Sequence, residues 1–151
     1  MKYRTTSYAE GVYDYYFYEK NLQGDIVAIY RADGMKIASY VYDAWGNFTK
    51  SRPTGVTYGT ADTFVYNKNP FTYRGYYYDV DIDMGYYYLQ TRYYDPEIGR
   101  FINMDAFSDP GAGSLIEYNI YVYVANNPVS NFDSTGQFLL IYLILYTLGL
   151  I

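Results

Sequence analysis

The chain has 151 residues, enough for one domain with a real core, and it contains no cysteine and no histidine. That removes thiol nucleophiles, disulfides, Cys/His zinc sites and every Ser-His or Cys-His catalytic pair. The net charge of -5, from 11 basic and 16 acidic residues, offers no phosphate-neutralising surface, so nucleic acid is not an expected partner.

Tyrosine is the outlier, with 25 residues against 8 Phe and 1 Trp. Tyr favours strands, and its ring buries area while its hydroxyl needs a hydrogen-bond partner or water. A compact core of so many Tyr would strand hydroxyls, so sheets with only half-dry faces are expected.

Residues 1–11 form a lead-in that lacks a basic start followed by an apolar stretch, so no secretory signal is read there. From Val12 the chain alternates extended runs with turns. VYDYYFYEK ends at Asn21–Asp25, DIVAIY ends at Arg31–Gly34, and MKIASYVY ends at Asp43–Asn47. Asp33-Gly34 between β-branched runs predicts a hairpin closed by a tight primed turn. Gly24, Gly34 and Gly46 recur at hairpin spacing, which points to an array of strands. No window before the tail has helical periodicity. Residues 50–63, with Pro53, Gly55 and Gly59 among Ser and Thr, read as a longer loop. From Asn69 to Gly136, tyrosine-rich runs are cut at short intervals by Asp, Gly and Asn-Pro turn signals.

The tracts KNLQGDIVAIY and YVYDAWGN resemble YD (Tyr-Asp) repeats. YRGYYYD, GYYYLQTRYYDPEIGRFINMD and YNIYVYVANNPVSNFDSTG resemble the RHS repeat-associated core domain, which closes the repeat shell in polymorphic toxins, wall-associated proteins and the C component of insecticidal toxin complexes. The division is then a lead-in at 1–11, YD-repeat hairpins at 12–69, the core at 70–137 and an apolar tail at 138–151. The resemblance implies a mainly β fold, with antiparallel hairpins wound as part of a spiral shell. Its expected function is structural: the closing end of a shell around a C-terminal toxin or effector, with upstream repeats and the enclosed effector as partners. The location implied is secreted or on the surface of a bacterium, within a larger protein.

The same resemblance implies at most one enzymatic activity, an aspartic-protease-like self-cleavage. The matching aspartates are Asp105 in INMDAF and Asp133 in FDSTG, the expected scissile bond is Gln137-Phe138, and Arg100 would orient or pair with a carboxylate. Two carboxylates within hydrogen-bond distance do not both ionise cheaply, so such a pair supplies a base for water and an acid for the leaving group. Ala106 and Ser134 stand where the family carries proline, and Asp109-Pro110-Gly111 is a rival for the first aspartate. The alternative is that these aspartates are turn residues bonded to their own backbone.

Asp79, Asp81 and Asp83 alternate before Gly85, but a calcium loop needs Gly at its sixth place and Glu at its twelfth, where Met84 and Gln90 stand. A charged hairpin tip is expected, and no metal or cofactor. The tail FLLIYLILYTLGLI would make a helix of about 21 Å, short of the ~30 Å of a hydrocarbon core. It is read either as the start of a membrane segment or effector, or as a hydrophobic plug inside the shell. Exposed Tyr among Asp and Asn also allow a surface module that binds cell-surface carbohydrate by ring stacking, without catalysis.

Overall fold

The structure is a computed structural model that describes residues 2–3, 14–79, 84–104 and 120–137. It is mainly β and rich in antiparallel hairpins, as expected. Two compact units divide the chain: residues 1–43 with 48–75, and residues 44–47 with 76–151.

In the first unit β1 (Lys2–Tyr3), β2 (Asp14–Lys20), β3 (Ile26–Arg31), β4 (Lys36–Tyr42) and β5 (Phe48–Ser51) lie in sheet order 1-2-3-4-5, every pair antiparallel. The alternation in β2 turns Tyr16 into the core and leaves Tyr15 and Phe17 exposed. Tyr16, Ile26, Ile29, Ile37, Ala38 and Tyr40 pack with Val65 as one buried cluster.

The β3–β4 hairpin forms where Asp33-Gly34 predicted it, but not with a primed turn. Gly34 takes a φ of 89°, whereas Asp33 is absent from the positive-φ residues. The Asp33 carboxylate instead accepts the Met35 N–H at 3.1 Å and pairs with Arg31 at 2.6 Å, and the register shifts by one between Ile29 and Tyr30. One left-handed glycine with a bulge replaces two left-handed residues.

The expected loop over 50–63 narrows to residues 52–59, and a helix follows it although no helical periodicity was read there. β5 runs to Ser51, and α1 spans Thr60–Lys68. TADTFVYNK has no apolar stripe, and it buries only Asp62 and Val65, so periodicity does not reveal it. Polar groups hold it at each end. Asp62 accepts from Gly59 N at 3.0 Å, Tyr16 Oη at 2.9 Å and Arg31 Nη1 at 2.9 Å. Beyond the last turn, Asn69 accepts from Tyr18 Oη at 2.7 Å and donates to Tyr40 Oη at 3.2 Å.

The second unit carries β6 (Tyr77–Tyr78), β7 (Tyr87–Leu89), β8 (Arg92–Asp95) and β9 (Arg100–Phe101), again antiparallel and in sequential order. Tyr87, Leu89, Arg92, Tyr94 and Phe101 face a core completed by Tyr76, Val122, Tyr123 and Val124. The Tyr94 and Tyr123 rings lie tilted at 31° with centroids 4.0 Å apart, and Tyr123 meets Phe101 edge-on at 5.7 Å. Tyr87 and Tyr94 donate to the carbonyls of Gly46 and Trp45, both at 2.7 Å. The tyrosines divide between a dry and a wet face: Tyr15, Tyr77, Tyr88 and Tyr121 are exposed, while the fully buried Tyr16, Tyr87, Tyr94 and Tyr123 each have a partner for the hydroxyl. After Tyr123 the backbone makes a turn over Val124–Asn126 in which three successive non-glycine residues have φ of 43°, 55° and 59°. Such residues cost roughly 1–2 kcal/mol each relative to ordinary conformations.

Burial raises the Tyr16, Tyr18, Tyr40 and Tyr78 hydroxyls above the ordinary tyrosine value of 10.0. A folded value above the unfolded one gives stability that is intact below pH ~10 and is lost as pH rises through the folded values. With no histidine, the urea midpoint should be nearly equal at pH 7 and pH 9 and fall between pH 10 and pH 12. Tyrosinate absorbance should rise together with unfolding; ionisation of every Tyr near pH 10 in a chain that stays folded would contradict this.

Candidate functional site

Residues 133–137 lie against the tip of the β7–β8 hairpin. Asp133 has a fully buried side chain. Its Oδ1 accepts three backbone N–H groups, from Thr135 at 3.1 Å, Gly136 at 2.9 Å and Gln137 at 3.1 Å. Its Oδ2 is 3.8 Å from Arg92 Nη2, also buried, so the two charges compensate each other away from water. The Asp133 N–H donates to Tyr76 Oη at 3.0 Å, and that hydroxyl is 3.2 Å from the hydroxyl of Tyr123.

Arg92 is tied down on every side. Its guanidinium lies 3.6 Å above the Phe101 ring, Nη1 donates to the Ile120 carbonyl at 3.1 Å, and Nε donates to the Gly136 carbonyl. Two further donors come from the tip itself: Thr91 Oγ1 to the Thr135 carbonyl at 2.8 Å and Gln90 Nε2 to the Ser134 carbonyl at 3.3 Å. Gly136 has a φ of +77°, and a Cβ there would meet Thr91 Oγ1 at 2.6 Å and the Leu89 carbonyl at 2.7 Å. Thr135 Oγ1 is buried without a partner among the described residues.

Of the residues singled out from sequence, Asp133 occupies this site, and Gln137, on the near side of the expected scissile bond, bonds to it directly. Asp105, the rival Asp109, and Phe138 with the rest of the tail lie outside the described residues, as do Asp81 and Asp83. Arg100 is in β9, opposite Asp95 on β8 and bridged to Val122. The guanidinium described beside Asp133 is that of Arg92, which the sequence reading did not single out. Strand parity carried the signal, because Arg92 and Tyr94 are two apart and share the buried face of β8. Among the described residues no group of acidic side chains fits a metal ion, and no helix is long and apolar enough to cross a membrane.

Replacing Arg92 with Met should cost about 3–5 kcal/mol, because it leaves the Asp133 carboxylate buried and uncompensated. Urea denaturation followed by circular dichroism measures this; a loss below about 1 kcal/mol would contradict the pairing.

No family model matches the chain. It is 42% identical over 123 residues to the tRNA nuclease WapA of Bacillus subtilis (strain 168), a match that covers 81% of this chain and 5% of the nuclease. It is 36% identical over 95 residues to the double-stranded DNA deaminase toxin A of Burkholderia cenocepacia (strain H111), covering 63% of this chain and 6% of the toxin. The solved TcdB2-TccC3 without its hypervariable C-terminal region superposes with a TM-score of 0.61 at 26% identity, over 88% of this chain and 5% of that one. The chain thus spans about a twentieth of the length of each of these proteins. Likeness in sequence and in fold supports reading it as an RHS-associated domain of the kind found in large toxin proteins.

Proposed function

We propose that the chain is the closing end of an RHS-type β-shell that encloses a C-terminal toxin or effector, with upstream repeats completing the wall. One observation carries this reading. Overlapping stretches of the chain, 81% and 63% of it, are matched in a protein named for cutting tRNA and in one named for deaminating double-stranded DNA. A part common to two different activities fits packaging better than it fits either chemistry. The hairpin succession supports a wall, and the YD-repeat identity of residues 12–69 belongs to the same reading. The place of action is outside or on the surface of a bacterium, as part of a larger secreted protein. In a protein carrying upstream repeats, this chain and an effector, the effector should resist added protease until the shell is denatured; digestion at the rate of the free effector would end the reading.

Within that role we place a self-cleavage after Gln137 that uses Asp105 and Asp133. One carboxylate takes a proton from water, whose oxygen bonds to the Gln137 carbonyl carbon. The other gives its proton to the Phe138 nitrogen as the C–N bond breaks. Arg100 is assigned a supporting role toward this pair. Support comes from the hydrogen bond between Asp133 and the Gln137 N–H, one residue from the expected cut, and from the buried hydroxyl of Thr135, which fits a further polar group there. Intact mass spectrometry of the purified chain should find residues 138–151 released, with Asp105→Asn and Asp133→Asn each abolishing release. A folded wild-type chain that keeps its full mass would sink this assignment.

A second reading, carbohydrate binding, draws on one row in which Tyr77 and Tyr88 are exposed and Tyr93 is half-buried. Tyr77, Tyr88 and Tyr93 are in register across β6, β7 and β8, and the Tyr88 and Tyr93 rings lie 5.1 Å apart. Retention on a glycan matrix that is lost in Tyr88→Ala would favour it, and passage through every matrix unretained would exclude it.

A further inference from the structure

An aspartate followed by glycine is open to a spontaneous backbone rearrangement, because glycine has no side chain to crowd its nitrogen. At Asp33-Gly34 the Gly34 nitrogen would bond to the side-chain carboxyl carbon of Asp33, and its proton would leave with the carboxyl hydroxyl as water, closing a succinimide. Water then adds to the Asp33 main-chain carbonyl carbon, whose bond to the Gly34 nitrogen breaks. The product is isoaspartate, in which the chain runs through the side-chain carbonyl and is longer by one methylene. Two conditions govern the rate: the carboxyl must be protonated to lose its hydroxyl, and the glycine nitrogen must be released to attack.

In the turn between β3 and β4 one residue opposes both conditions. The Arg31 carbonyl accepts the Gly34 N–H at 2.9 Å. The Arg31 side chain meets the Asp33 carboxylate with two donors, Nε to Oδ1 at 3.1 Å and Nη2 to Oδ2 at 2.6 Å. The Met35 N–H is a third donor, to Oδ1 at 3.1 Å. The Arg31 hydrogen bonds first, and the Met35 N–H after them, hold the Asp33 carboxyl at about 2, below its ordinary 3.8. The neutral acid is rarer by more than about tenfold as a result. The guanidinium is itself anchored, since its Nη1 donates at 2.9 Å to Asp62, which is buried in the first turn of α1. As a contribution to stability the Arg31–Asp33 pair counts for little, because its side chains are 32% and 56% exposed. Its effect on the reactivity of Asp33 needs no burial.

We infer that Asp33-Gly34 is an isomerisation site kept closed by Arg31, which holds the glycine N–H with its carbonyl and the aspartate, as a carboxylate, with its guanidinium. Arg31 is a positioning residue, since the reacting atoms belong to Asp33 and Gly34. The closure protects the hairpin it sits in. That turn depends on the Gly34 N–H bond to the Arg31 carbonyl and on the Arg31 N–H bond to the Met35 carbonyl, also 2.9 Å, and an added methylene between them alters the spacing of both.

The test follows isoaspartate at Asp33 in the purified full chain incubated at pH 7, by peptide mapping and by enzymatic methylation specific for isoaspartate. The folded wild type should form it slower by about tenfold or more than the same chain in urea. Arg31→Met should bring the folded chain, checked by circular dichroism, to a rate about tenfold or more above wild type. The rates at the other aspartates should stay as they were. Arg31→Lys keeps a cation for Asp62 but loses the fork that meets two carboxylates at once, so it should fall between the two, and it carries the test if Arg31→Met does not fold. Wild-type rates in the folded variants would overturn the inference, as would a rise at every aspartate together.

Discussion

A tyrosine ring can be buried only if its hydroxyl, at the far end of the ring, reaches a partner, and the described structure is arranged around meeting that demand. In the first unit it produces the helix. α1 has little apolar surface to bury, and it is pinned to the sheet by Tyr16 at its first turn and by Tyr18 and Tyr40 just past its end. In the second unit it determines where loops go, because the carbonyls of Trp45 and Gly46 and the hydroxyl of Tyr76 stand where the buried rings of Tyr94, Tyr87 and Tyr123 end. Long aromatic side chains thus serve both as core and as struts to the polar layer around it. An unmade bond at any one of them leaves a buried polar atom at a cost of about 1–3 kcal/mol, which makes the set mutually dependent.

Residues 131–137 follow a different rule. Little of their hold on the β7–β8 tip comes from hydrophobic burial: Asn131 to Gln137 is mostly polar, and Phe132 is largely exposed. Hydrogen bonds and one compensated charge pair fix them instead. Such contacts specify register sharply and contribute modest net free energy each, since both partners give up water to make them.

Hairpins were legible in the sequence because alternation and turn residues act locally: Asp33-Gly34 located its hairpin even though the turn type was misjudged. The features that escaped depend on contacts between distant residues. α1 could not be seen from periodicity, because its stabilising partners are side chains on three strands and not an apolar stripe of its own. Its one local sign was Asp62, three residues past Gly59, where an acidic side chain reaches back to the exposed N–H at a helix start. Asp133 was found through its resemblance to a family motif. Arg92 was passed over as an ordinary strand residue, although parity with Tyr94 put it inside, and an inward arginine needs an anion. The hydrogen bonds from the β7–β8 tip to residues 134–136 were invisible because they join residues 44 positions apart whose types, Gln, Thr, Ser and Gly, carry no chemistry individually.

The three left-handed residues at Val124–Asn126 have a consequence for how sequence variation in this stretch should be read. Glycine is normally a loss in ordered backbone, because it has more freedom to give up on folding. In a run where every residue has positive φ that penalty is offset by relief of side-chain strain, so the usual ranking of substitutions is inverted over these positions. Val124 is the exception within the run: its side chain is fully buried, and what it gains in conformation by shrinking it gives back as a cavity. Tolerance here follows burial within a single turn: it is lost at the buried Val124 and kept at the exposed Ala125 and Asn126.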